Sequence, residues 1–343
     1  DGSLFFGSEP KAIFALLGRI PKINKAHIER FLVNGYKSLY KTESTYFEEL
    51  LYLRPGYSLE WSNSESISIS SWSKRSKLIQ EDDMTFEEAV LGSKERLIKS
   101  VELRLRSDVP IAFCLSGGID SNSLISIAKN QLGYNVHGFT IMNQDSRYEE
   151  QEMVEYSVRT QNLKHTNIPV KKLDFLRGLS TLVQMHDSPV STISYFAHWL
   201  LMEAISKEGY KVSVSGTGAD EIFSGYYDHH LAYLSELNIN HPSLFNEALE
   251  NWSQTIASYV RNPYLQDPYY FINHPMSRDH IFLDAPTNRG FLNRYFHEPF
   301  SETIYSNYLL RNRMANELFH ESVPVILHED DLNAMYYSIE NRS

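Results

Sequence analysis

The sequence of 343 residues predicts an α/β fold, in which a parallel sheet is covered by helices on both faces. Strand-like and helix-like segments alternate between residues 111 and 215, and such alternation is typical of parallel sheets with helical crossovers. Two of the strands run into turns of glycine and other small residues, and a helix-like segment follows each turn. A smaller region of about 75 residues, which mixes short strands with one helix-like stretch, precedes this alternation.

The first elements are predicted from local signals. The helix-like stretch in the N-terminal region runs from Lys25 to Tyr40, and the polar segment from Lys74 to Asp83 is predicted to be a linker. Thr85 and Glu88 form a capping-box pattern at the start of an amphipathic helix. The apolar positions of that helix are Phe86, Val90, Leu97, Val101 and Leu105.

The alternating part contains four predicted strands and four predicted helices. The strands are Ile111 to Leu115, Val136 to Ile141, His165 to Val170 and Lys211 to Ser215. The helices are Ser121 to Leu132, Glu149 to Asn162, Leu173 to Met185 and Ile193 to Lys207. Beyond Leu231 the pattern is helical, irregular and rich in aromatic residues, which indicates packing rather than a lid over a substrate.

The first glycine turn has the sequence Ser-Gly-Gly-Ile-Asp-Ser at residues 116–121. Glycines allow a ligand to approach the backbone closely, and the free N–H groups of the following helix favour an anion. No lysine follows the glycines, so this is not the phosphate loop of the common NTPases. A carboxylate beside phosphates, here Asp120, implies a bridging Mg²⁺. The alternative is an ordinary turn between a strand and a helix.

The second glycine turn follows the strand that ends near Val214, and it reads Ser-Gly-Thr-Gly-Ala-Asp-Glu from Ser215 to Glu221. Loops at the carboxyl ends of parallel strands meet in one crevice. We therefore expect Asp120 and Asp220 to face the same metal ion. Helix capping is the alternative for Asp220 and Glu221, because acidic residues are favoured in the first turn of a helix.

Together the two motifs resemble the synthetase domain of glutamine-dependent asparagine synthetases and related amidotransferases. His186-Asp187-Ser188-Pro189 lies before the helix that precedes the second motif. The segments from Asp330 to Met335 and from Ser338 to Arg342 are similar to the family's late Asp-Arg-x-x-Met and Glu-x-Arg segments. The resemblance spans nearly the whole chain. It implies the adenine-nucleotide α-hydrolase-like pyrophosphatase fold, with ATP and Mg²⁺ as cofactors.

The resemblance also implies two domains. Residues 1–75 are similar to the C-terminal part of a β-rich glutaminase domain, with strands from Asp1 to Glu9, from Leu53 to Tyr57 and from Ser70 to Trp72. Residues 76–343 are similar to the synthetase domain, without its last segment. The family's glutaminase nucleophile is an N-terminal Cys, whereas residue 1 is Asp and the single cysteine is Cys114, in an apolar strand. We therefore expect the chain to be an internal piece of a longer enzyme.

Composition restricts the classes of partner. Hydrophobic residues make up 42% and charged residues 22% of the chain, as in ordinary globular proteins. The formal net charge of −11 argues against a nucleic-acid partner. No apolar run approaches the roughly 20 residues of a membrane helix, and a single cysteine fits a reducing compartment, so we expect a cytoplasmic protein. The oligomeric state is open, a homodimer being one option.

The reaction implied by the resemblance is ATP-dependent amidation of a carboxylic acid with ammonia derived from glutamine. A carboxylate attacks the α-phosphorus of ATP, which gives an acyl-adenylate and pyrophosphate, and ammonia then displaces AMP. The implied catalytic residues are Asp120, Asp220, Thr217 and Glu340, of which Asp120 and Asp220 would hold the metal. The implied nucleotide contacts are Cys114, Leu115, Ser116, Gly117, Gly118, Asp120, Ser121, Ile141, Ser215 and Gly216.

Three alternatives attach to these residues. Cys114 and Ile141, which are implied at the adenine, could instead be plain core residues, and Glu340 could serve only as an ion-pair partner of Arg342. Asparagine synthetases usually carry Glu where this chain has Thr217, which favours an acid other than aspartate, such as a sugar acid or a surface-polysaccharide precursor.

Two other classes of protein share parts of this pattern. A tRNA-modifying enzyme can carry the first loop, but the acidic charge and the second motif count against one. A non-catalytic ATP-binding paralogue is kept open by Thr217. The run Asp228-His229-His230 could bind a metal, although we expect it to lie on a solvated helix face.

Overall fold

The computed structural model describes residues 3–62, 66–73, 84–142, 150–169 and 175–343. Seven strands are present in this part of the chain, namely β1 (Tyr57–Trp61), β2 (Ile67–Ser71), β3 (Ile111–Cys114), β4 (His137–Met142), β5 (Lys164–Pro169), β6 (Val212–Val214) and β7 (Glu340–Arg342). The α-helices of the first half are α1 (Pro10–Leu17), α2 (Lys25–Asn34), α3 (Phe86–Arg104), α4 (Ile119–Ser126), α5 (Gln151–Gln161) and α6 (Phe175–His186). Those of the second half are α7 (Ser194–Lys207), α8 (Ala219–Phe223), α9 (Tyr227–Asn240), α10 (Pro242–Thr255), α11 (Tyr270–Asn273), α12 (Ala285–Arg289), α13 (Leu309–Phe319) and α14 (Ser322–Tyr336).

The chain divides into two compact units. Unit 1 comprises Asp1–Gln80 and Asp220–Val325, and unit 2 comprises Glu81–Ala219 and Ile326–Ser343. The last of the three boundaries, between Val325 and Ile326, falls within α14. Each unit is therefore assembled from two separate segments of the chain.

Unit 2 contains a five-stranded sheet in which all strand pairs are parallel, with the order β5-β4-β3-β6-β7. The chain fills one half of the sheet from β3 outward through β4 to β5. It then returns to add β6 and β7 on the other side of β3. The direction of winding thus changes between β3 and β6, and ligands of such sheets bind outside the carboxyl ends of the strands at this change.

Helices cover both faces of this sheet. Ile111 and Phe113 of β3 belong to one apolar cluster, which includes Val101 of α3, Ile125 of α4 and Val154 of α5. The alternate β3 residues Ala112 and Cys114 belong to another cluster, with members from α7 and α14. Successive side chains of a strand point to opposite faces, so the two clusters lie on opposite sides of the sheet. The predicted parallel sheet with helices on both faces is confirmed.

The four predicted strands and four predicted helices of this region are present, with ends that differ by one to a few residues. The helix predicted from Ser121 to Leu132 is α4, continued by a π-helical turn over Ile127–Gln131. Residues 149, 170 and 173, at the ends of three predicted elements, lie outside the described residues. The sequence analysis missed β7, because Glu-Asn-Arg has no apolar alternation from which a strand could be recognised.

The strand expected at the N-terminus is absent from the described residues 3–9. A helix begins instead at Pro10, whose fixed φ angle suits the first position of a helix and whose missing N–H costs nothing there. The helix-like stretch from Lys25 to Tyr40 is α2 followed by a 3₁₀ segment, Tyr36–Lys41. The strand expected from Leu53 to Tyr57 is wrong in position, because β1 begins only at Tyr57 and follows a turn at Pro55 and Gly56. The strand expected from Ser70 to Trp72 is the end of β2, which pairs with β1 in antiparallel fashion.

The capping box that was predicted at the start of α3 is confirmed. The Thr85 side chain accepts a hydrogen bond from the Glu88 N–H at 3.2 Å, and the Glu88 carboxylate accepts one from the Thr85 N–H at 2.8 Å. The linker predicted from Lys74 to Asp83 lies outside the described residues.

The second segment of unit 1 is helical, as the sequence beyond Leu231 predicts. Its apolar cluster includes Leu231 and Leu234 of α9, Trp252 of α10 and the aromatic residues Tyr270 and Phe271 of α11. These two aromatics are therefore packing residues, whereas Phe291 and Tyr295 are exposed. In the part of the chain that the structure describes, no helix combines the length and the apolar character that a membrane crossing requires.

Candidate functional site

The first glycine turn connects β3 to α4, and its own serines form hydrogen bonds within it. The Ser116 N–H donates to Ser121 Oγ at 3.1 Å, and the Gly118 N–H donates to Ser116 Oγ at 3.2 Å. The Asn122 amide donates to the carbonyls of Ser116 and Gly118. Gly118 occupies the N-cap position of α4 without a side-chain cap. The N-terminus of α4 therefore has backbone N–H groups that could donate hydrogen bonds to an anion.

A carboxylate already occupies one donor of this turn. The Gly117 N–H donates to Glu150 Oε2 at 2.7 Å, and a Cβ added at Gly117 would lie 3.0 Å from the Glu150 Cβ. Glu150 is the residue before α5. One backbone donor of the turn thus binds a carboxylate oxygen of the protein itself, as it would bind an oxygen of an anionic ligand.

Substitution of Glu150 therefore tests this anion site. We expect Glu150→Gln to tighten the binding of Mg-ATP about threefold to tenfold, because it removes a charged competitor for the Gly117 N–H. Isothermal titration calorimetry measures the change, and Glu152→Gln, in the exposed first turn of α5, is the matched control. Weaker binding by Glu150→Gln would mean that Glu150 assists the ligand instead.

The second glycine turn touches the first. A Cβ added at Gly216 would lie 3.1 Å from the Asp120 Cβ and 3.1 Å from the Ser121 backbone nitrogen, distances that are tight for real side chains. Gly216 follows β6 and Asp120 follows β3, which are neighbouring parallel strands. The two glycine turns therefore meet where the winding direction of the sheet changes, as the sequence predicts.

A cleft of about 430 Å³ opens at this meeting point. The described residues that line it come from both glycine turns, from β3 and the residue after it, from β4, from the residue before α5 and from α7. They are Cys114, Leu115, Ser116, Asp120, Ser121, Phe139, Thr140, Ile141, Glu150, Ala197, His198, Leu201, Gly216 and Thr217. Seven of the expected nucleotide contacts are among them. Gly117, Gly118 and Ser215 belong to the same two turns but do not line the cleft.

The surroundings of Asp120 suit a metal ligand. Burial raises the pKa of its carboxyl, and it makes no ion pair with any residue that the structure describes. A bound cation would offset this cost, because an opposite charge nearby favours the ionised carboxylate. The donor set of Asp120 and the surrounding hydroxyls consists of oxygen atoms, which fits Mg²⁺.

Asp220 lies in the short helix α8, in its first turn. It belongs to unit 1, where a Cβ added at Gly225 would overlap its carboxylate, at 1.7 Å from Oδ1. Glycine is therefore required at position 225 for the Asp220 side chain to adopt its orientation. The shared metal ion of Asp120 and Asp220 stays a prediction.

Thr217 contacts a carboxyl that the sequence analysis did not assign to the site. Its Oγ1 lies 3.1 Å from Ser215 Oγ and donates to Asp330 Oδ2 at 3.4 Å. Burial, together with the charge of Glu329, raises the pKa of Asp330 to about 7. Burial and the charge of Asp330 also raise the pKa of the Cys114 thiol, to about 12, so the thiol stays protonated and is not a nucleophile.

Asp330 should make the stability of the protein depend on pH. The unfolded chain loses this proton near pH 4, while the folded chain keeps it until about pH 7. Between these values the folded state binds more protons, so the stability contributed at this site falls as the pH rises. We expect Asp330→Asn to stabilise the protein by more than about 1.4 kcal/mol near pH 8 and to have little effect near pH 4.

Urea denaturation at both pH values measures this difference. Asp331→Asn, at an exposed position of the same helix, is the control. A gain from Asp330→Asn that is the same at both pH values would contradict the assignment.

A buried network of histidine and asparagine side chains adjoins Asp330. Most of it was not predicted from the sequence. His186 contacts Asn333 and Glu329, at 3.0 Å in each case. Asn333 also contacts His198, whose Nδ1 lies 3.4 Å from Asp330 Oδ1. The resemblance had singled out the segments around His186 and Asn333 only as motif matches. His198, which lines the cleft, carried no sequence signal.

Glu340 stands apart from this network. It is exposed, and it forms an ion pair with Arg342 at 2.8 Å, which lowers the pKa of its carboxyl. Arg342 also donates to the carbonyls of Arg104 and Arg106. The ion pair that the sequence analysis named as the alternative is present, and the catalytic role of Glu340 stays a prediction.

Asp228 and His229 are buried, so the expectation that they lie on a solvated helix face is wrong. His229 Nε2 contacts Glu317 Oε2 at 2.7 Å, and Lys37 Nζ contacts Glu317 Oε1 at 2.7 Å. Asp228 lies 3.7 Å from Arg313. Asp228, His229 and Glu317 are close enough to hold a metal ion, but cationic side chains already balance both carboxylates. The group is a buried ion-pair network within unit 1.

Comparisons with known proteins agree with the motifs. A family model described as Asparagine synthase matches residues 92–342. Amidase chyE of Penicillium rubens is 30% identical over 183 residues, which cover 48% of this chain and 27% of the relative. A putative glutamine-hydrolyzing asparagine synthetase of Methanocaldococcus jannaschii is 27% identical over 247 residues, which cover 67% of this chain and 44% of the relative.

This chain therefore spans between about a quarter and less than half of the length of these relatives. Among solved structures, the NH3-dependent NAD synthetase from Campylobacter jejuni matches over 62% of this chain and 100% of its own, with 14% identity and a TM-score of 0.29. A TM-score of this size carries no argument about function.

Proposed function

Because this chain belongs to the asparagine synthase family, we propose that unit 2 binds ATP in the cleft between the two glycine turns and uses it to adenylate a carboxylic acid. The observation that carries the proposal is the contact of the turns, where Gly216 packs against Asp120 and Ser121 at the carboxyl ends of neighbouring strands. An anion-binding turn, an acidic residue without a cation among the described residues and a largely apolar wall meet in one cleft. These features would contact the phosphates, the metal ion and the base of ATP, respectively.

Adenylation solves a specific chemical problem. A carboxylate cannot be attacked by ammonia directly, since the leaving group would be oxide. Transfer of the adenylyl group to a carboxylate oxygen turns that oxygen into part of AMP, which is a good leaving group. The bond that breaks joins the α- and β-phosphates, and pyrophosphate departs. Ammonia then forms the amide bond and releases AMP.

The chain's residues would act mainly on the departing pyrophosphate. The backbone N–H groups of the first turn would donate hydrogen bonds to it in place of the Glu150 carboxylate, and they would stabilise the negative charge that develops on it. Asp120, with Asp220 as its proposed partner, would hold Mg²⁺, which neutralises phosphate charge when bound. The apolar part of the cleft, at Phe139, Ile141 and Leu201, would cover the nucleotide and limit hydrolysis of the acyl-adenylate.

The identity of the acid that is amidated is open, and aspartate is one candidate among several. Thr217 stands where asparagine synthetases usually carry Glu, and its hydroxyl contacts Asp330, whose raised pKa keeps a proton nearby. Asparagine synthesis and amidation of a sugar acid or a surface-polysaccharide precursor are therefore both candidates. A paralogue that binds ATP without catalysis is the remaining alternative.

We also propose the domain organisation that the resemblance implies. Residues 1–75 would be the C-terminal part of a glutaminase domain, which supplies ammonia from glutamine, and residues 76–343 would be the synthetase part. ATP, a carboxylic acid and ammonia would be the small-molecule partners, in a cytoplasmic enzyme.

Product analysis tests the proposed reaction. The full-length gene product is incubated with Mg-ATP, ammonia and a panel of acids, including L-aspartate and several uronic acids, and AMP, pyrophosphate, ADP and phosphate are quantified. Equal amounts of AMP and pyrophosphate with one acid would identify the substrate. Formation of ADP and phosphate would contradict adenylation, and ATP binding without any product would favour the paralogue.

A further inference from the structure

The hydrogen bonds around Asn333 fix the orientation of its side-chain amide. Asn333 Nδ2 lies 3.0 Å from the carbonyl oxygen of Tyr195, which can only accept, so this atom is the amide nitrogen. Asn333 Oδ1 then faces His186 Nε2 at 3.0 Å and accepts a hydrogen bond from it. Asn333 belongs to α14, and its side chain is fully buried.

The same amide fixes the tautomer of His198. The second hydrogen of Asn333 Nδ2 is directed at His198 Nδ1, 3.2 Å away, so Nδ1 must offer a lone pair. The neutral ring then carries its proton on Nε2. Asp330 Oδ1, at 3.4 Å from Nδ1, is farther away than the amide. Burial also lowers the pKa of His198, to about 4, so the ring is neutral at pH 7.

The Nε2 nitrogen of His198 is a buried donor. It makes no hydrogen bond with any residue in the described part of the chain, and a buried N–H without a partner is costly. His198 lines the cleft, whereas Asn333 and Asp330, which face Nδ1, do not. Nε2, which these two residues do not contact, is therefore the ring nitrogen left for an acceptor on the cleft side, and it is itself buried.

The surroundings select the kind of acceptor. The residues that line the cleft, among those described, include no lysine or arginine. Ala197 and Leu201 flank His198 on the same face of α7, and the carboxyl group of Asp330 lies next to the ring. A neutral donor between apolar side chains and close to a carboxyl group disfavours an anionic ligand atom. It suits an uncharged acceptor in a flat, apolar ligand.

We infer that His198, held by Asn333 as the Nε2–H tautomer, donates a hydrogen bond to a ring nitrogen of the purine base in this cleft. This inference rests on the proposed function, since it names how that site recognises the base of its nucleotide. His198 is then a specificity-determining residue for purines, and Asn333 is a positioning residue that acts through it.

Atom-replaced nucleotides test the hydrogen bond on the unaltered protein. Binding of ATP is compared with binding of 1-deaza-, 3-deaza- and 7-deaza-ATP, each of which has C–H in place of one acceptor nitrogen. One analogue should bind the full-length protein about threefold to tenfold more weakly than ATP. His198→Leu should lose the same factor for ATP and should no longer distinguish that analogue from ATP. His198→Gln, which keeps an N–H donor, should recover part of the affinity.

Nitrogen NMR of the histidine side chains tests the positioning role without a ligand. His198 should show the shifts of a neutral ring protonated at Nε2. Asn333→Asp, whose carboxylate can only accept, should move the proton to Nδ1 and should reduce the preference for ATP over the same analogue.

The outcomes separate the two proposals. No binding of ATP by the unaltered protein would overturn the proposed function and this inference together. Binding of ATP with equal affinity for all three analogues would overturn the inference alone, as would an Nδ1–H tautomer or a charged ring at pH 7.

Discussion

Asp120→Asn is expected to lower the rate of pyrophosphate formation about a hundredfold to a thousandfold, which is the usual range when one preorganised electrostatic group is removed from an active site. The substitution keeps the size of the side chain but removes the charge. Burial raises the pKa of this carboxyl, and no cationic side chain in the described part of the chain offsets the cost of burying its charge. The charge is therefore expected to act on a ligand and not to stabilise the fold. The protein should fold as before, because Asn avoids burying a charge.

Asp108→Asn is the matched control for this experiment. Asp108 is exposed and precedes β3, whereas Asp120 follows it, so the two substitutions remove the same charge at opposite ends of one strand. The control should retain full activity. Equal activity in both variants would remove Asp120 from the proposed mechanism.

Arg313→Leu is expected to destabilise unit 1 by about 3–5 kcal/mol, the range for removing one partner of a buried ion pair. The Arg313 side chain is fully buried, with its guanidinium 3.3 Å from Glu302 and 3.7 Å from Asp228. It also lies over the ring of Phe271, at 4.5 Å from the centroid. Leucine would leave two buried carboxylates with less compensating charge.

Urea denaturation measures the loss, and Arg294→Leu is its control. Arg294 pairs with Glu29 at an exposed position of the same unit, where an ion pair contributes little. The control should leave the unfolding midpoint almost unchanged. If the two variants unfold at the same urea concentration, the Arg313 network does not stabilise the unit.

The parts of the fold that sequence predicted well have strong local signals. Thr85 and Glu88 specify a helix start by reciprocal hydrogen bonds within four residues. The β-branched and apolar run before Ser116 specifies a buried strand, and the glycines after it specify a turn. The two glycine turns were expected to meet by the general rule for the carboxyl ends of parallel strands, and Gly216 of the second turn does lie against Asp120 of the first.

The features that the sequence did not reveal depend on residues far apart in the chain. His198 and Asp330 have an ordinary appearance in sequence, and they acquire their properties only where α7 and α14 pack around Asn333. Asp228 and His229 were expected on a solvated face, because no further metal ligand lies near them in sequence. Lys37 and Arg313, which contribute the compensating charge, are distant in sequence.

An isotope experiment tests most directly whether a carboxylate is activated by adenylation in the cleft at Ser116 and Gly216. The acid that supports turnover is labelled with ¹⁸O in its carboxylate and incubated with the full-length protein, Mg-ATP and ammonia, and the products are analysed by mass spectrometry. One ¹⁸O atom in the phosphate of AMP for each amide formed is the predicted result. Label in inorganic phosphate with formation of ADP, or unlabelled AMP, would contradict it.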